Sequence, residues 1–356
     1  MINVEKSAIV LDVGSRYLRC GMSGERSPRT VLRWEVAEKL QIRPPLSKEA
    51  WIQYVGNQLY DVCFKHLRVT PKNRRLVLCE DLLFPRNLRE ALVDVVYTVL
   101  KVTVRSRSLH LRIALPQAKQ LLLLPSMPTA LYATCHATAL IVDAGWLETC
   151  ILPVFERMPL LHAYTTTGLA SRSCCAAIAA QFPDVASPED ILERACFAST
   201  ADTPSTVRLR SSSVDTDIQT QDAHFFAMTP RAVTIPAATR AAIVETLFLG
   251  NDDHVSLPDA ILDCIAKCPL DTRRALLSNV LCIGGTSMLP GFRARLVRAL
   301  PSSAALVPTF FPSHLMAWVG ASIYGSTEDA LAHAVSAESY AAAPHVPDWM
   351  EVGVTP

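Results

Sequence analysis

Three observations predict an α/β fold built from two related halves. Apolar strand-like segments alternate with amphipathic helical patterns, which argues for layered α/β architecture. A hydrophobic run closing on Asp-x-Gly occurs twice, at residues 9–14 and 140–145, which suggests an internal duplication. Near the C-terminal end, Val280, Leu281 and Ile283 run into Gly284-Gly285, followed by a Pro-Gly turn and a helical pattern with Phe292, Leu296 and Leu300 on one side. Paired glycines let a backbone pass close to something flat or charged. This segment reads either as a strand–turn–helix ligand loop or as a tight turn packed on a core.

The elements follow in order along the chain. Ser7 to Ser15 reads as a buried strand ending at Asp12, with Tyr17–Met22 as its hairpin return. Residues 33–50 are weakly patterned and proline-marked, so a loop is expected. Trp51, Val55, Leu59, Val62 and Leu67 share one face of a helix. Leu76–Cys79 is a further strand. Asn87 is placed to cap a helix with a stripe of Leu88, Leu92, Val95, Val96 and Val99. The uncharged stretch from 120 to 142 is broken by Pro125 and Pro128, and parses as strand, turn, helix and buried strand, not as a membrane span. Residues 201–223 are rich in Ser, Thr and Asp and predict an exposed or poorly ordered loop. The tail from Ala341 is expected to be extended and anchored by Trp349.

Composition narrows the function classes. With 356 residues and 50 % apolar content, the chain can bury more than one core. Its 34 basic and 33 acidic residues nearly cancel, so no global field points to nucleic acid or to an anionic membrane. The eleven cysteines include no Cys-x-x-Cys pair and read as reduced core thiols of a cytosolic protein.

The candidate chemistry lies in the two Asp-x-Gly turns. Backbone N–H groups of such turns can hold phosphate oxygens, and their aspartates can orient waters around Mg²⁺. Asp12, Gly14 and Ser15 supply the first turn, and Asp143 and Gly145 the second. Each aspartate can instead simply cap its own turn, and Ser15 can equally be a turn hydroxyl.

The set Asp12-Val13-Gly14-Ser15, Asp143-Ala144-Gly145 and Gly284-Gly285-Thr286-Ser287-Met288-Leu289-Pro290-Gly291, in that order, resembles actin and the actin-related proteins. Gly21-Met22-Ser23-Gly24-Glu25, Leu131-Tyr132-Ala133, Asp271-Thr272-Arg273 and Ala317-Trp318-Val319-Gly320-Ala321-Ser322-Ile323 extend the likeness over nearly the whole chain. Cys268-Pro269-Leu270-Asp271 and Val346-Pro347-Asp348-Trp349 look like the actin-related proteins at the pointed end of dynactin. The resemblance implies the fold shared by actin, hexokinase and heat-shock-70 ATPases, with two domains around a nucleotide cleft. It places residues 1–133 with 316–356 in an outer domain and 134–315 in an inner one.

The same resemblance implies ATP or ADP with Mg²⁺ as a structural ligand. Its contacts would be Asp12, Gly14, Ser15, Arg16, Arg19, Asp143, Gly145, Glu193, Gly284, Gly285, Thr286 and Met288, with Asp12 and Asp143 reaching the metal through water. Arg19 takes the place of a basic phosphate contact and reads equally as an exposed strand arginine, and Glu193 takes the place of a helix residue touching ribose or base. The implied partners are the actin-related filament subunits of dynactin and dynactin subunits four, five and six, with no nucleic acid and no membrane insertion.

Departures from the family pattern carry as much meaning. Arg16 replaces a second turn glycine, and Trp146 follows the second turn where small residues are usual. The water-positioning glutamine falls at Ser126 and its assisting histidine at Cys150, so hydrolysis is not expected. Leu192 stands where a lysine packs on the base. The small pointed-end lobe shrinks to residues 34–50, too few for a core of its own. The basic stretch 104–120 has no counterpart and reads as a partner-contact loop, a solvated insertion or a misjoined coding segment.

Overall fold

The computed structural model describes residues 7–97, 101–105, 110–114, 118–185, 187–199, 207–211, 214–218, 223–225, 233–344 and 349. The chain forms two compact units, residues 1–136 with 315–356, and residues 137–314.

The first unit is built on a six-stranded sheet. Its strands are β1 (Ile9–Val13), β2 (Tyr17–Met22), β3 (Thr30–Arg33), β4 (Arg75–Glu80) and β7 (Gln120–Pro125), closed by Val335–Ser336 beside β7. β1, β4 and β7 run parallel, while β2 and β3 fold back antiparallel. Every residue of β1 and β4 is buried, as befits central strands covered on both faces. Ile9, Leu11, Val13, Leu76 and Leu78 share a core with helices α2 (Lys48–Tyr60) and α3 (Arg86–Tyr97). On the other face, Cys79 Sγ meets the Ala317 carbonyl and the Trp318 indole donates to Val10 O at 3.3 Å. The helix Met316–Tyr324 therefore covers that side.

The helical stripe of Trp51, Val55, Leu59, Val62 and Leu67 is buried as expected, at 0–4 % exposure. Each such side chain contributes roughly 1.5–3 kcal/mol. Ser47 caps α2, its Oγ accepting from Ala50 N, and the helix continues as a π-helical turn over Asp61–His66.

Three local expectations need correction. Residues 33–50 are not all loop: Val36–Leu40 forms a short helix, α1, held by the burial of Val36 and Ala37 and not by any periodicity a five-residue element could show. Asn87 lies inside the first turn of α3, which starts at Arg86 behind Pro85, so it is not the cap; Val99 falls outside the described residues. The tail is not extended from Ala341, because Ala337–Ala342 is helical behind a Ser336 cap. Trp349 does reach an anchor: its indole donates to Glu80 Oε1 at 2.9 Å. In the basic stretch, β5 (Lys101–Arg105) and β6 (His110–Ala114) pair antiparallel.

The second unit repeats the strand plan. β8 (Ala139–Ala144) and β9 (Thr149–Phe155) form an antiparallel hairpin, and β16 (Val280–Ile283) joins β8 in parallel. β10 (Met158–Pro159) and β11 (Thr165–Thr167) extend the sheet beyond β9. Helices α5 (Ser171–Gln181), α6 (Pro188–Ala195), α7 (Ala237–Leu249), α8 (Leu257–Lys267), α9 (Leu270–Leu277) and α10 (Phe292–Ala299) enclose its core. Four further strands make two hairpins, β12 (Val207–Ser211) with β13 (Val214–Ile218) and β14 (Ala223–Phe225) with β15 (Val233–Ile235). The polar stretch 201–223 thus contains paired strands, and its remainder lies outside the described residues.

The stretch 120–142 resolves into β7, a helical turn at Ser126–Thr129, a 3₁₀ turn at Ala130–Ala133, and β8. Among the described residues no helix is long and apolar enough to cross a membrane. All eleven cysteines are free thiols, and burial pushes Cys63, Cys174, Cys196, Cys264 and Cys282 up to about 12.

Candidate functional site

In the first unit, antiparallel register sets Arg19 opposite Asp12, and the side chains meet with Nη1 3.0 Å from Oδ2. Burial raises the Asp12 carboxyl above its ordinary range, and Arg19 pulls it back. After Asp12 the chain turns at Gly14, whose N–H donates to Tyr17 O at 3.1 Å. A Cβ on Gly14 would sit 3.1 Å from that same oxygen. The turn carbonyls of Ser15 and Arg16 accept from Ala37 N at 3.1 Å and Trp34 N at 2.7 Å. Arg16 itself is buried and ion-paired with Glu38 of α1.

The parallel strands bring a further pair to this edge. Val13, Glu80 and Pro125 lie in one register row, so Gly14, Asp81 and Ser126 follow together at the carboxyl ends of β1, β4 and β7. Ligand sites of open α/β sheets form at such edges. Ser126 Oγ donates to Asp81 Oδ1 at 2.9 Å. A hydroxyl has one proton, so Ser126 offers only lone pairs beyond this bond.

The second unit repeats the turn. Gly145 N donates to Glu148 O at 3.1 Å, and a Cβ there would again meet that oxygen at 3.1 Å. Asp143 lies opposite Cys150 on β9 and beside Ile283 on β16. One residue on, Gly284 takes φ +85°, and its Cβ would fall 2.3 Å from Ala144 O and 2.4 Å from Asp143 Oδ1. Glycine is required here so that the loop can lie on the Asp143 turn. Gly285 differs: a Cβ there meets nothing within 4 Å. That face is open space, and a glycine there leaves room for the close approach of a ligand.

Thr286 is buried and clamps the loop to the turn. Its Oγ1 donates to Gly145 O at 2.6 Å and lies 2.6 Å from Ser171 Oγ. The first amides of α5 also reach the turn, from Ser171 N to Gly145 O at 3.4 Å and from Arg172 N to Trp146 O at 3.0 Å. Trp146 is half-buried against the core of this unit. Met288 is half exposed on a cavity of about 460 Å³, lined also by Leu289, Arg293, Phe311 and Ser313. Glu193 is exposed on α6, and the segment after α6 is tied to the loop by Ala198 N donating to Pro290 O at 2.8 Å.

The structure thus gathers Asp12, Gly14, Ser15, Arg16 and Arg19 at one turn. It gathers Asp143, Gly145, Gly284 and Thr286 at the other, with Gly285 and Met288 on the same loop. Among the described residues no cluster of three His, Cys, Asp or Glu side chains could hold a metal directly. Sequence reasoning missed Asp81, Glu38 and Ser171. Asp81 carried the same signal as Asp12 and Asp143, a carboxylate closing a buried strand. Glu38 had none, because its partner lies 22 positions away.

Residues 228–345 match the sequence model of the actin family. Along nearly its full length the chain is similar to actin-related protein 10 of Dictyostelium discoideum, 22 % identical over 456 residues that take in 97 % of this chain and 89 % of that protein. The chain carries the actin-type α/β fold, and its similarity to the actin-related proteins runs through both units.

Proposed function

We propose that this chain is a structural, non-catalytic actin-related subunit. It holds ATP or ADP with Mg²⁺ as a fixed part and caps the pointed end of the actin-like filament of dynactin. One observation carries the non-catalytic reading: both Asp-x-Gly turns are intact while Ser126, at the water-positioning place, donates its one hydroxyl hydrogen bond to Asp81. Cys150 lies opposite Asp143 where the assisting histidine would stand, and a thiol polarises water poorly. A bound nucleotide brings phosphate charge for the turn amides. Asp12 and Asp143 would orient the metal's waters, and Gly285 and Met288 would face the nucleoside.

The capping reading draws on α1 and the residues around it. Between Trp34 and Ala50 the chain holds one five-residue helix and the first turn of α2, too little to present a separate lobe to a following protomer. Such a subunit joins a filament by its opposite end and terminates it. Its partners would be the filament's actin-related subunits and dynactin subunits four, five and six, in the cytoplasm, in support of dynein-based transport. The test is identification of what co-purifies with tagged full-length protein. Recovery of the dynactin filament and pointed-end subunits is expected; recovery of chromatin-remodelling factors instead would overturn the assignment.

A further inference from the structure

Arg16 is the one residue of the first hairpin turn that carries a charge the turn does not need. Its side chain is 5 % exposed, and burying a guanidinium is costly unless acceptors or an anion face it. The Glu38 carboxylate, delivered by α1, is one such partner, and its own side chain is 48 % exposed. Two backbone bonds from Trp34 N and Ala37 N fasten the same segment to the carbonyls of Arg16 and Ser15. A carboxylate and a phosphate present similar paired oxygens to the guanidinium fork, so each can replace the other there.

We propose that Arg16 forms an anion subsite at the hairpin turn whose resident occupant is Glu38, and that a phosphate of a bound nucleotide displaces it. The proposal rests on the nucleotide reading above. The asymmetry of exposure decides which partner leaves: Glu38 swings into water at little cost, whereas Arg16 stays and takes the phosphate. Glu38 is therefore a built-in competitor that lowers nucleotide affinity. By linkage, nucleotide binding loosens Trp34–Leu40, and loosening that segment tightens nucleotide binding.

Full-length protein titrated with Mg–ADP, with hydrogen exchange followed over residues 34–40, tests both consequences. Glu38→Gln keeps the side chain's shape, and its affinity is expected to rise about tenfold, within the usual range of couplings. Arg16→Ala should bind about tenfold more weakly. In the wild type, saturating Mg–ADP should speed exchange over 34–40; in Glu38→Gln that exchange should be fast already and insensitive to Mg–ADP. Unchanged or weaker binding by a folded Glu38→Gln, or exchange indifferent to Mg–ADP in the wild type, overturns the subsite and leaves nucleotide binding standing. No binding by wild type or either variant overturns the nucleotide reading and the subsite with it. A response to inorganic phosphate alone, with none to Mg–ADP, overturns the nucleotide as the source of the anion.

Discussion

A methyl group separates two glycines that look equivalent in the sequence. At Gly284 it would collide with the Ala144 carbonyl in a left-handed backbone, so Gly284→Ala is expected to cost about 3 kcal/mol in denaturant unfolding. At Gly285 it meets nothing, so Gly285→Ala should leave stability within about 0.5 kcal/mol while weakening nucleotide binding. Equal stability loss in both variants would show that the open face at Gly285 is not open.

Glu80 makes a second residue-scale prediction. Fully buried beside Arg89 and the Trp349 indole, its carboxyl is pushed up to about 7 by burial, with Arg89 pulling it down. A carboxyl raised above its unfolded value holds its proton longer in the folded chain. Its contribution to stability is therefore largest below about pH 4.5 and falls as pH rises to about 7, by roughly 3 kcal/mol in all. Thermal midpoints across that window should fall in the wild type more than in Glu80→Gln, which has no proton to lose.

Among the described glycines, the tightest fit is at Gly320, where the helix Met316–Tyr324 meets the turn at Ser126–Ala133. A Cβ on Gly320 would lie 1.9 Å from Thr129 O, so the two backbones touch with no room for a side chain. Gly320→Ala should cost about 3 kcal/mol or leave the protein insoluble, whereas Ser47→Ala, which removes only the cap of α2, should cost about 1 kcal/mol. Both follow from chemical denaturation of the variants.

Legibility in the sequence divides along the same line. Elements with long periodic stripes, such as the helix bearing Trp51, Val55 and Leu59, and strands closing on Asp12 or Asp143, were readable because period and punctuation are local. Helix α1 was not, since Val36 and Ala37 are helical only because distant residues bury them. The two turns were readable as candidates, but their clamps were not. Thr286 reaching Gly145, Ser126 reaching Asp81 and Arg16 reaching Glu38 are pairings between segments that only the folded register brings together.

For the whole molecule, two matched turns are tied down by side chains that reach them from other segments, and under the proposed function they serve to hold a nucleotide and not to activate water. The expected behaviour is that of a terminating part: light scattering of the purified protein at micromolar concentration with Mg–ATP should show no self-assembly, and robust filaments would contradict the capping role. The most direct measurement is single-turnover hydrolysis of ATP by purified full-length protein. Bound nucleotide with no, or very slow, release of phosphate is expected; hydrolysis at a rate similar to polymerised actin would contradict the non-catalytic role.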